Sequence, residues 1–181
     1  MLTIDAYRSK IKEVLFSEEE IKEKIAEAGR YIDSIFDGRP ILLVSILKGS
    51  FIFLADLCRA VSVPCEIGFM KASSYYEGTK SSGEVNITLD IHRDLSKYHV
   101  VIAEDIIDTG RTLTKIVDYL KGRNPVSFRV ITLLDKPSRR VVDFKADYAL
   151  FTIPDRFVIG YGLDCAEQYR ELPYIAEYGE E

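Results

Sequence analysis

The stretch HVVIAEDIIDTGRT, residues 99–112, runs from an apolar segment through a polar turn toward a helix. Residues 99–103 are predicted to form a buried strand, and residues 104–111 a polar loop. A helix is then predicted over residues 112–121, before the Asn-Pro stop at 124–125, with a further apolar strand at 128–134. A strand, a helix and a second strand in this order form a unit of two parallel strands joined by a crossover helix.

The same order occurs earlier in the chain, behind an amphipathic helix. Ser17 and Glu20 form the sequence pattern of a capping box, and apolar side chains follow at spacings of three and four residues. Beyond this helix, residues 41–47 predict a buried strand, residues 51–61 a short helix and residues 65–70 another strand. Two such units predict an α/β fold with an open, mostly parallel twisted sheet flanked by helices.

Both ends of the chain and one internal stretch lie outside these units. Residues 73–83 are rich in Ser, Gly and Tyr and precede an alternating segment, which indicates a mobile hairpin. The tail beyond Asp147 contains two short apolar pieces, 148–153 and 157–159, and we expect it to build a small hood with the N-terminal segment. The predicted organisation is a single domain, residues 1–181, with a core at about 38–150, a hood from about 1–16 and 151–181, and a mobile loop at about 73–84.

The composition indicates one soluble globular domain. Of the 181 residues, 47% are hydrophobic and 29% are charged, which is too apolar for a disordered chain. There are 24 basic and 29 acidic residues, so the net charge is −5. Nucleic-acid binders normally carry a basic excess, and we therefore expect no nucleic acid as a partner.

The sequence contains no apparent signal for membrane insertion or secretion and no cysteine pattern typical of a metal site or disulfides. The longest apolar runs fall far short of the roughly 20 residues of a membrane span, and the polar N-terminus lacks the apolar region of a signal peptide. Cys58, Cys65 and Cys165 lack the paired short spacings of a zinc site or a disulfide framework. We expect reduced thiols, no membrane association and a cytoplasmic location.

Ligands of an open parallel sheet bind at the carboxyl ends of its strands, so the loops that follow the strands are the candidate sites. The loop after Ala103 carries Glu104, Asp105 and Asp108, then a Thr-Gly turn that enters a helix. Free amides and the helix dipole at such a turn suit a phosphate, and the carboxylates suit sugar hydroxyls or Mg²⁺. Taken by spacing alone, a helix N-cap in a solvated acidic loop explains the same residues.

Residues 100–112 resemble the ribose-phosphate-binding signature of the type I phosphoribosyltransferases. That signature is a hydrophobic strand, two adjacent acids, two aliphatic residues, Asp, Thr-Gly and a closing Thr, and the stretch matches each position. Other loops extend the resemblance to the hypoxanthine (hypoxanthine-guanine) phosphoribosyltransferases, over residues 17–173. These loops are LKG at 47–49, SY at 74–75, LLDKP at 133–137 and FVIGYGLD at 157–164. The resemblance implies the type I phosphoribosyltransferase fold.

The side chains themselves favour a 6-oxopurine as the base. The ammonium of Lys136 has donors and no acceptor, so it can bond a purine O6 but would face an amine in adenine. Buried polar groups left unpaired in this way discriminate strongly between substrates. Phe157 offers a ring for stacking, and a backbone carbonyl such as that of Val158 can accept from N1 or an exocyclic amine. Taken singly, Lys136 as a surface lysine and Phe157 as a core residue are the plain alternatives.

The resemblance implies purine salvage, in which the 5-phosphoribosyl group of phosphoribosyl pyrophosphate (PRPP) moves to N9 of hypoxanthine or guanine. The products are IMP or GMP and pyrophosphate, and the implied cofactor is Mg²⁺. Asp108 becomes the catalytic acid/base at purine N7. Ribose and 5′-phosphate are assigned to Glu104, Asp105, Asp108, Thr109, Gly110, Arg111 and Thr112, although Arg111 could equally face solvent. Pyrophosphate is assigned to Lys48, Gly49 and Arg170; the purine to Lys136, Phe157, Val158 and Asp164; the metal to Glu104, Asp105 and Asp164; and the closing loop to Ser74 and Tyr75.

The sequence leaves open two properties of the family, a cis peptide and the oligomeric state, and two alternative functions. The family carries a non-proline cis peptide at the position of Leu47 and Lys48, and it forms homodimers or homotetramers, for which the apolar helix at 51–60 is a candidate interface. An RNA-binding regulator shares the fold, and Lys136, Arg139 and Arg140 form a small basic cluster. A xanthine enzyme is the other alternative, because atoms at C2 of the base distinguish these substrates.

Overall fold

The computed structural model describes residues 4–74 and 85–179. In chain order its elements are α1 (Ile4–Arg8), β1 (Ile11–Phe16), α2 (Glu18–Phe36), β2 (Ile41–Ile46), α3 (Phe51–Ala60), β3 (Cys65–Ser74), β4 (Val85–Leu89), β5 (His99–Ile107), α4 (Arg111–Lys121), β6 (Ser127–Asp135), β7 (Tyr148–Thr152), β8 (Val158–Ile159) and β9 (Ile175–Tyr178). Short 3₁₀ turns lie at Leu95–Lys97 and Pro137–Arg139. None of the helices in these described residues is long and apolar enough to cross a membrane.

The main sheet has the strand order β4-β3-β2-β5-β6-β7. Strands β3, β2, β5, β6 and β7 run parallel, and β4 is antiparallel to β3. Strands covered on both faces read as continuous apolar runs, as β2 does. Ile41 and Leu43 pack in the core under α2 and α3, whereas Leu42 and Val44 pack in the core under α4. The predicted open, mostly parallel sheet flanked by helices is therefore confirmed.

Helix α2 begins where its sequence signal predicted. The Ser17 hydroxyl accepts a hydrogen bond from the Glu20 amide at 3.2 Å, and the Glu20 carboxylate accepts one from the Ser17 amide at 2.8 Å. This reciprocal capping box satisfies two amides that the first helical turn leaves free. One face of α2 then packs against α3, and Gly29 lies at the crossing, since a Cβ on Gly29 would overlap the carbonyl of Ala60.

Replacing Gly29 with alanine is expected to lower the free energy of unfolding by about 1–3 kcal/mol, because overpacking outweighs the gain of about 1 kcal/mol in helix propensity. Urea denaturation measures the change. Gly122→Ala is the matched control: Gly122 has φ −61, and a Cβ there would lie 3.4 Å from its nearest neighbours. We expect that control to stay within about 0.5 kcal/mol of the wild type. Equal effects in the two variants would contradict a tight crossing of α2 and α3.

Two sequence-based expectations about element boundaries are wrong. Residues 104–107, expected in a loop, continue β5, because their backbone pairs with β6 through residues such as Glu104 with Thr132. The piece 148–153, expected in the hood, supplies β7 at the edge of the main sheet, where Tyr148 pairs with Ile131. In both cases the neighbouring strand β6 provides hydrogen bonds to the backbone of the segment, and these bonds do not depend on whether the side chains are polar.

A second sheet forms from the two ends of the chain. Its strands are antiparallel in the order β1-β9-β8, and they pack around Ile159, Tyr169 and Ala176. The rings of Tyr7 in α1 and Tyr169 stack at 4.1 Å, which ties α1 to the turn before β9. Because β8 and the turns after it border the loops that leave the main sheet, this small sheet supplies one wall of the candidate site.

Candidate active site

A cavity of about 350 Å³ lies between the carboxyl edge of the main sheet and the segment 157–170. Its lining consists of Lys48, Gly49, Asp105, Ile106, Asp108, Lys136, Phe157, Val158, Leu163, Asp164 and Arg170. All of these except Ile106 and Leu163 are residues that the sequence had suggested for substrate or metal. The structure thus brings side chains from four separated loops to one place.

The parallel sheet explains why these loops meet. Lys48 follows β2, Asp108 follows β5 and Lys136 follows β6, and the carboxyl ends of neighbouring parallel strands share one edge. The Lys136 amide donates a hydrogen bond to the Ile107 carbonyl at 3.0 Å, so the ends of β5 and β6 are joined directly beside the cavity.

Two glycines allow three loops to touch. A Cβ on Gly49 would overlap the carboxylate of Asp105, and a Cβ on Gly162, which has φ +99, would overlap the carbonyl of Gly49. Neither position has room for a side chain, and the positive φ of Gly162 is one that side-chain-bearing residues rarely adopt. The peptide bond between Leu47 and Lys48 is cis, as the family resemblance implied.

The Thr-Gly turn lies at the start of α4 and outside the residues that line the cavity. Gly110 takes φ +80 at the N-cap and has no side chain to cap the helix. The Arg111 amide donates to the Thr109 hydroxyl at 3.5 Å, a long contact that an anion at this helix start could replace. The side chains of Arg111 and Thr112 are exposed there. On the other side, the Thr109 carbonyl accepts a hydrogen bond from the Val141 amide at 3.2 Å, which fixes the turn against the segment after β6.

Two acids adjoin each other in the sequence of β5, and of the two only Asp105 lines the cavity. Glu104 Oε2 is buried and has no hydrogen-bond partner among the described residues. Burial and the neighbouring charge of Asp105 raise the pKa of Glu104 well above its usual range. Burial also raises the pKa of Asp105, to about 6. The hydrogen bond that the Ile106 amide donates to this carboxylate at 2.8 Å acts in the opposite direction and lowers the pKa. Paired acids of this kind are suited to a cation or to hydroxyl donors of a ligand.

The stability of the protein without metal is therefore expected to depend on pH through Asp105. An aspartate whose pKa is higher in the folded than in the unfolded state destabilises the fold as pH rises from about 4 through about 6. Asp105→Asn removes this titration. The free energy of unfolding of the variant, relative to that of the wild type, should therefore increase between about pH 4 and pH 6, by at most about 3 kcal/mol at 1.36 kcal/mol per pKa unit. Urea denaturation at several pH values in chelator measures the difference. A difference that stays constant with pH would contradict the raised pKa.

The expected base-contacting residues lie on two sides of the cavity. Lys136 is only 7% exposed, and among the described residues no carboxylate or carbonyl pairs with its ammonium. Phe157 is 54% exposed, and its ring meets that of Tyr178 edge-on at 5.5 Å. A buried lysine without a partner and an exposed aromatic ring are both unusual, and both are explained by a ligand between them.

The backbone of β8 leaves one carbonyl free for that ligand. The Tyr178 amide donates to the Phe157 carbonyl at 2.8 Å, so residues 157 and 178 form a hydrogen-bonded pair of the antiparallel ladder. Bonded and non-bonded pairs alternate, and Val158 with Glu177 is the next pair. Because β8 is an edge strand, the Val158 carbonyl points away from β9 and is free to accept a hydrogen bond.

Lys48 and Arg170 form a cationic wall, and Asp164 lies against it. Arg170 Nη2 is 2.9 Å from Asp164 Oδ1, and Arg170 Nη1 donates to the Gly162 carbonyl at 2.7 Å. Glu167 completes the group, with its Oε2 at 3.0 Å from Lys48 Nζ and 3.2 Å from Arg170 Nη2. These two cations lower the pKa of Glu167.

Sequence reasoning missed two residues of this site. Glu167 had no motif to mark it, although it lies between two residues assigned to the site. Arg139 appeared in the sequence only as part of a basic cluster, but its Nε donates to Asp108 Oδ1 at 3.2 Å, and its Nη1 lies 3.5 Å from Asp155. Arg140 pairs with Asp135. Because acids neutralise Arg139 and Arg140, the basic cluster is not a free surface for RNA.

The predicted closing loop is only partly described. Ser74 is the last residue of β3, and Tyr75 lies outside the described residues.

Comparisons with known proteins agree with this geometry. Residues 11–166 match the family model for the phosphoribosyl transferase domain. A hypoxanthine phosphoribosyltransferase of Salmonella typhimurium is 49% identical over 167 residues, covering 91% of this chain and 94% of that protein. A hypoxanthine-guanine phosphoribosyltransferase of Streptococcus pneumoniae is 48% identical and covers 94% and 95%. The crystal structure of a hypoxanthine phosphoribosyltransferase from Staphylococcus aureus superimposes with a TM-score of 0.91 at 43% identity, covering 96% of this chain and 94% of its own.

Sequence signature, fold, cavity and relatives therefore agree over most of the chain. The chain belongs to the phosphoribosyltransferase family, and within it to the hypoxanthine (hypoxanthine-guanine) phosphoribosyltransferases.

Proposed function

We propose that this chain is a purine-salvage enzyme that transfers the 5-phosphoribosyl group of PRPP to N9 of hypoxanthine, and of guanine, with release of pyrophosphate. The observation that carries the proposal is one cavity lined by the carboxylate of Asp108, by the cations of Lys48 and Arg170 and by Lys136, whose ammonium has no partner within residues 4–74 and 85–179. The cavity therefore offers groups complementary to a base, a ribose and a pyrophosphate.

Lys136, Phe157 and Val158 recognise the base. The ammonium of Lys136 donates to O6, the ring of Phe157 stacks on the purine and the free Val158 carbonyl accepts from N1 or from the 2-amino group of guanine. A lysine that offers only donors excludes adenine, whose 6-amino group is also a donor.

The ribose phosphate lies toward the end of β5. The hydroxyls of Thr109 and Thr112 and the backbone amides around Gly110 bind the 5′-phosphate at the start of α4, where the helix dipole favours an anion. Glu104 and Asp105 accept hydrogen bonds from the ribose hydroxyls, which supplies the partner that Glu104 Oε2 lacks. Arg111, whose side chain is exposed, adds positive charge at the rim.

Mg²⁺ fits the acids of this site as the cofactor. Asp105 and Asp164 line one cavity, and the charge of Asp164 contributes to the raised pKa of Asp105, an effect that a bound cation would relieve. Within residues 4–74 and 85–179, no three His, Cys, Asp or Glu side chains group to hold a metal by themselves. Mg²⁺ suits such a site because it takes one or two carboxylates together with water and substrate oxygens. When bound with the donor, it neutralises charge on the leaving pyrophosphate.

Asp108 serves as the acid/base at the purine. As the bond between C1′ and the pyrophosphate oxygen breaks and the bond between N9 and C1′ forms, the carboxylate accepts the proton that leaves N7. Lys48, the Gly49 amide and Arg170 hold the departing pyrophosphate, so its negative charge is matched by the cationic wall. Ser74 and Tyr75 are assigned to the loop that closes over the site and excludes water.

The assembly and location of the enzyme stay predictions. In α3, the proposed interface helix, Phe53, Leu54 and Leu57 are buried in the core of the same chain, whereas Phe51 is 42% exposed. The homodimer or homotetramer would thus use Phe51 rather than the whole helix. The location that we propose is the cytoplasm.

The test of the function is release of pyrophosphate from PRPP with Mg²⁺ and each of hypoxanthine, guanine, xanthine, adenine and uracil. Turnover is expected with hypoxanthine and guanine and is not expected with adenine or uracil. Turnover with xanthine alone would show that the groups facing C2 select another oxopurine. Turnover with none of the five would favour a regulator that keeps only the ligand site.

A further inference from the structure

The carboxylate of Glu167 lies between the two cations assigned to pyrophosphate. One oxygen, Oε2, is 3.0 Å from Lys48 Nζ and 3.2 Å from Arg170 Nη2. A single oxygen shared by an ammonium and a guanidinium is the arrangement that a pyrophosphate oxygen would form with the same two groups. The carboxylate and the pyrophosphoryl group therefore compete for the same donors.

The backbone holds Glu167 in this place. Ala166 and Glu167 have φ +51 and +68, values that are uncommon for residues other than glycine. Cys165 and Gln168 close the turn through mutual backbone hydrogen bonds of 3.2 and 3.1 Å. The Glu167 amide donates to Asp164 Oδ2 at 2.8 Å, which ties the turn to the cavity wall. Glu167 thus belongs to a formed turn, although its side chain is exposed.

The two cations depend on Glu167 to different degrees. Arg170 also contacts Asp164 Oδ1 at 2.9 Å and the Gly162 carbonyl at 2.7 Å, and neither contact involves Glu167. For Lys48, Glu167 is the ion-pair partner that the described residues supply. Loss of the Glu167 charge should therefore free the ammonium of Lys48 while leaving Arg170 in position.

We propose that Glu167 is an internal competitor for the pyrophosphate subsite: its carboxylate occupies Lys48 and Arg170 in the free enzyme and is displaced by the pyrophosphoryl group of PRPP or by pyrophosphate. The inference rests on the proposed function, because it requires these two cations to bind pyrophosphate. A ligand that must displace an internal group binds more weakly, in proportion to the fraction of enzyme in which the site is free. Glu167 accordingly lowers affinity for the donor and promotes release of the product.

The test compares wild type with Glu167→Gln and Glu167→Ala by titration calorimetry with Mg²⁺-pyrophosphate and with Mg²⁺-PRPP. Because the Glu167 carboxylate is exposed in both ion pairs, we expect about three- to tenfold tighter binding of both ligands in the variants. Salt screens exposed charges, so the difference should shrink at high salt. IMP, which lacks a pyrophosphoryl group, should bind all three proteins equally and shows that the variants are folded.

Glu27→Gln is the matched control, because it makes the same change in net charge at another ion pair, a half-buried one with Lys24 on α2. It should leave pyrophosphate binding unchanged, and an equal gain there would overturn the inference in favour of a general charge effect. Unchanged or weaker binding in the two Glu167 variants would also overturn it, and would mean that Glu167 orients the cations. A wild type that binds neither ligand would overturn the proposed function together with the inference.

Discussion

Replacing Asp108 with asparagine is expected to lower kcat for transfer to hypoxanthine by about 10²- to 10⁴-fold, the usual contribution of general acid–base catalysis. Asparagine keeps the size of the side chain, and its oxygen can still accept the hydrogen bond that Arg139 Nε gives to Asp108 Oδ1 at 3.2 Å. It lacks the carboxylate that takes the proton from N7. Single-turnover rates measured beside KM for PRPP separate the loss in chemistry from any loss in binding.

Asp155→Asn is the matched control for this variant. Asp155 is the second acid beside Arg139, at 3.5 Å from Nη1, so its replacement disturbs the same arginine and leaves Asp108 intact. Exposed ion pairs contribute little, and we expect kcat within about twofold of wild type. If Asp108→Asn stayed within about tenfold of wild type, another group would have to accept the N7 proton.

Replacing Lys136 with methionine is expected to lower kcat/KM for hypoxanthine by about 10- to 100-fold, because a hydrogen bond from a charged donor contributes about 1.5–3 kcal/mol. Methionine is chosen because Lys136 is buried, and an unbranched apolar side chain fills the space without opening a cavity. The dissociation constant of PRPP should change little, since Lys136 faces the base. Steady-state kinetics with hypoxanthine, guanine and adenine measure the effect.

Lys145→Met provides the comparison, because Lys145 is exposed and does not line the cavity. It should leave kcat/KM for all bases unchanged. The preference for hypoxanthine over adenine should narrow in Lys136→Met alone. If the ratio of kcat/KM for hypoxanthine to that for adenine were unaltered in that variant, the contact between Lys136 and O6 would be contradicted. The backbone around Val158 would then be the group that selects the base.

Elements that depend on near neighbours in the chain were predictable. Helix α2 begins at Ser17 because its capping box joins residues three apart. Strand β2 was recognisable because a strand buried on both faces needs apolar residues throughout. Strand β7 and the second half of β5 were not predicted, since residues such as Glu104 and Tyr148 enter the sheet through backbone pairing with β6, a partner elsewhere in the chain.

In the candidate site, too, the residues marked by local sequence were predictable and the contacts between distant residues were not. Asp108 and Lys136 could be identified in the sequence because each directly follows a parallel strand, and the geometry of such sheets brings strand ends to one edge. The ion pair between Lys48 and Glu167 joins residues 119 positions apart, and no local pattern encodes it. The overlap that excludes side chains at Gly49 likewise involves Asp105 on another strand.

Sequence alone was therefore sufficient to establish which chemical groups this protein collects at the edge of its sheet, because motif and strand order are local properties. Which of those groups pair with one another emerged from the folded chain. Glu167 against Lys48, and Arg139 against Asp108, are contacts between separate loops. The first distance depends on how the loop after β2 packs against the segment 157–170, and the second on the alignment of the neighbouring strands β5 and β6. Both are set by the packing of the whole core.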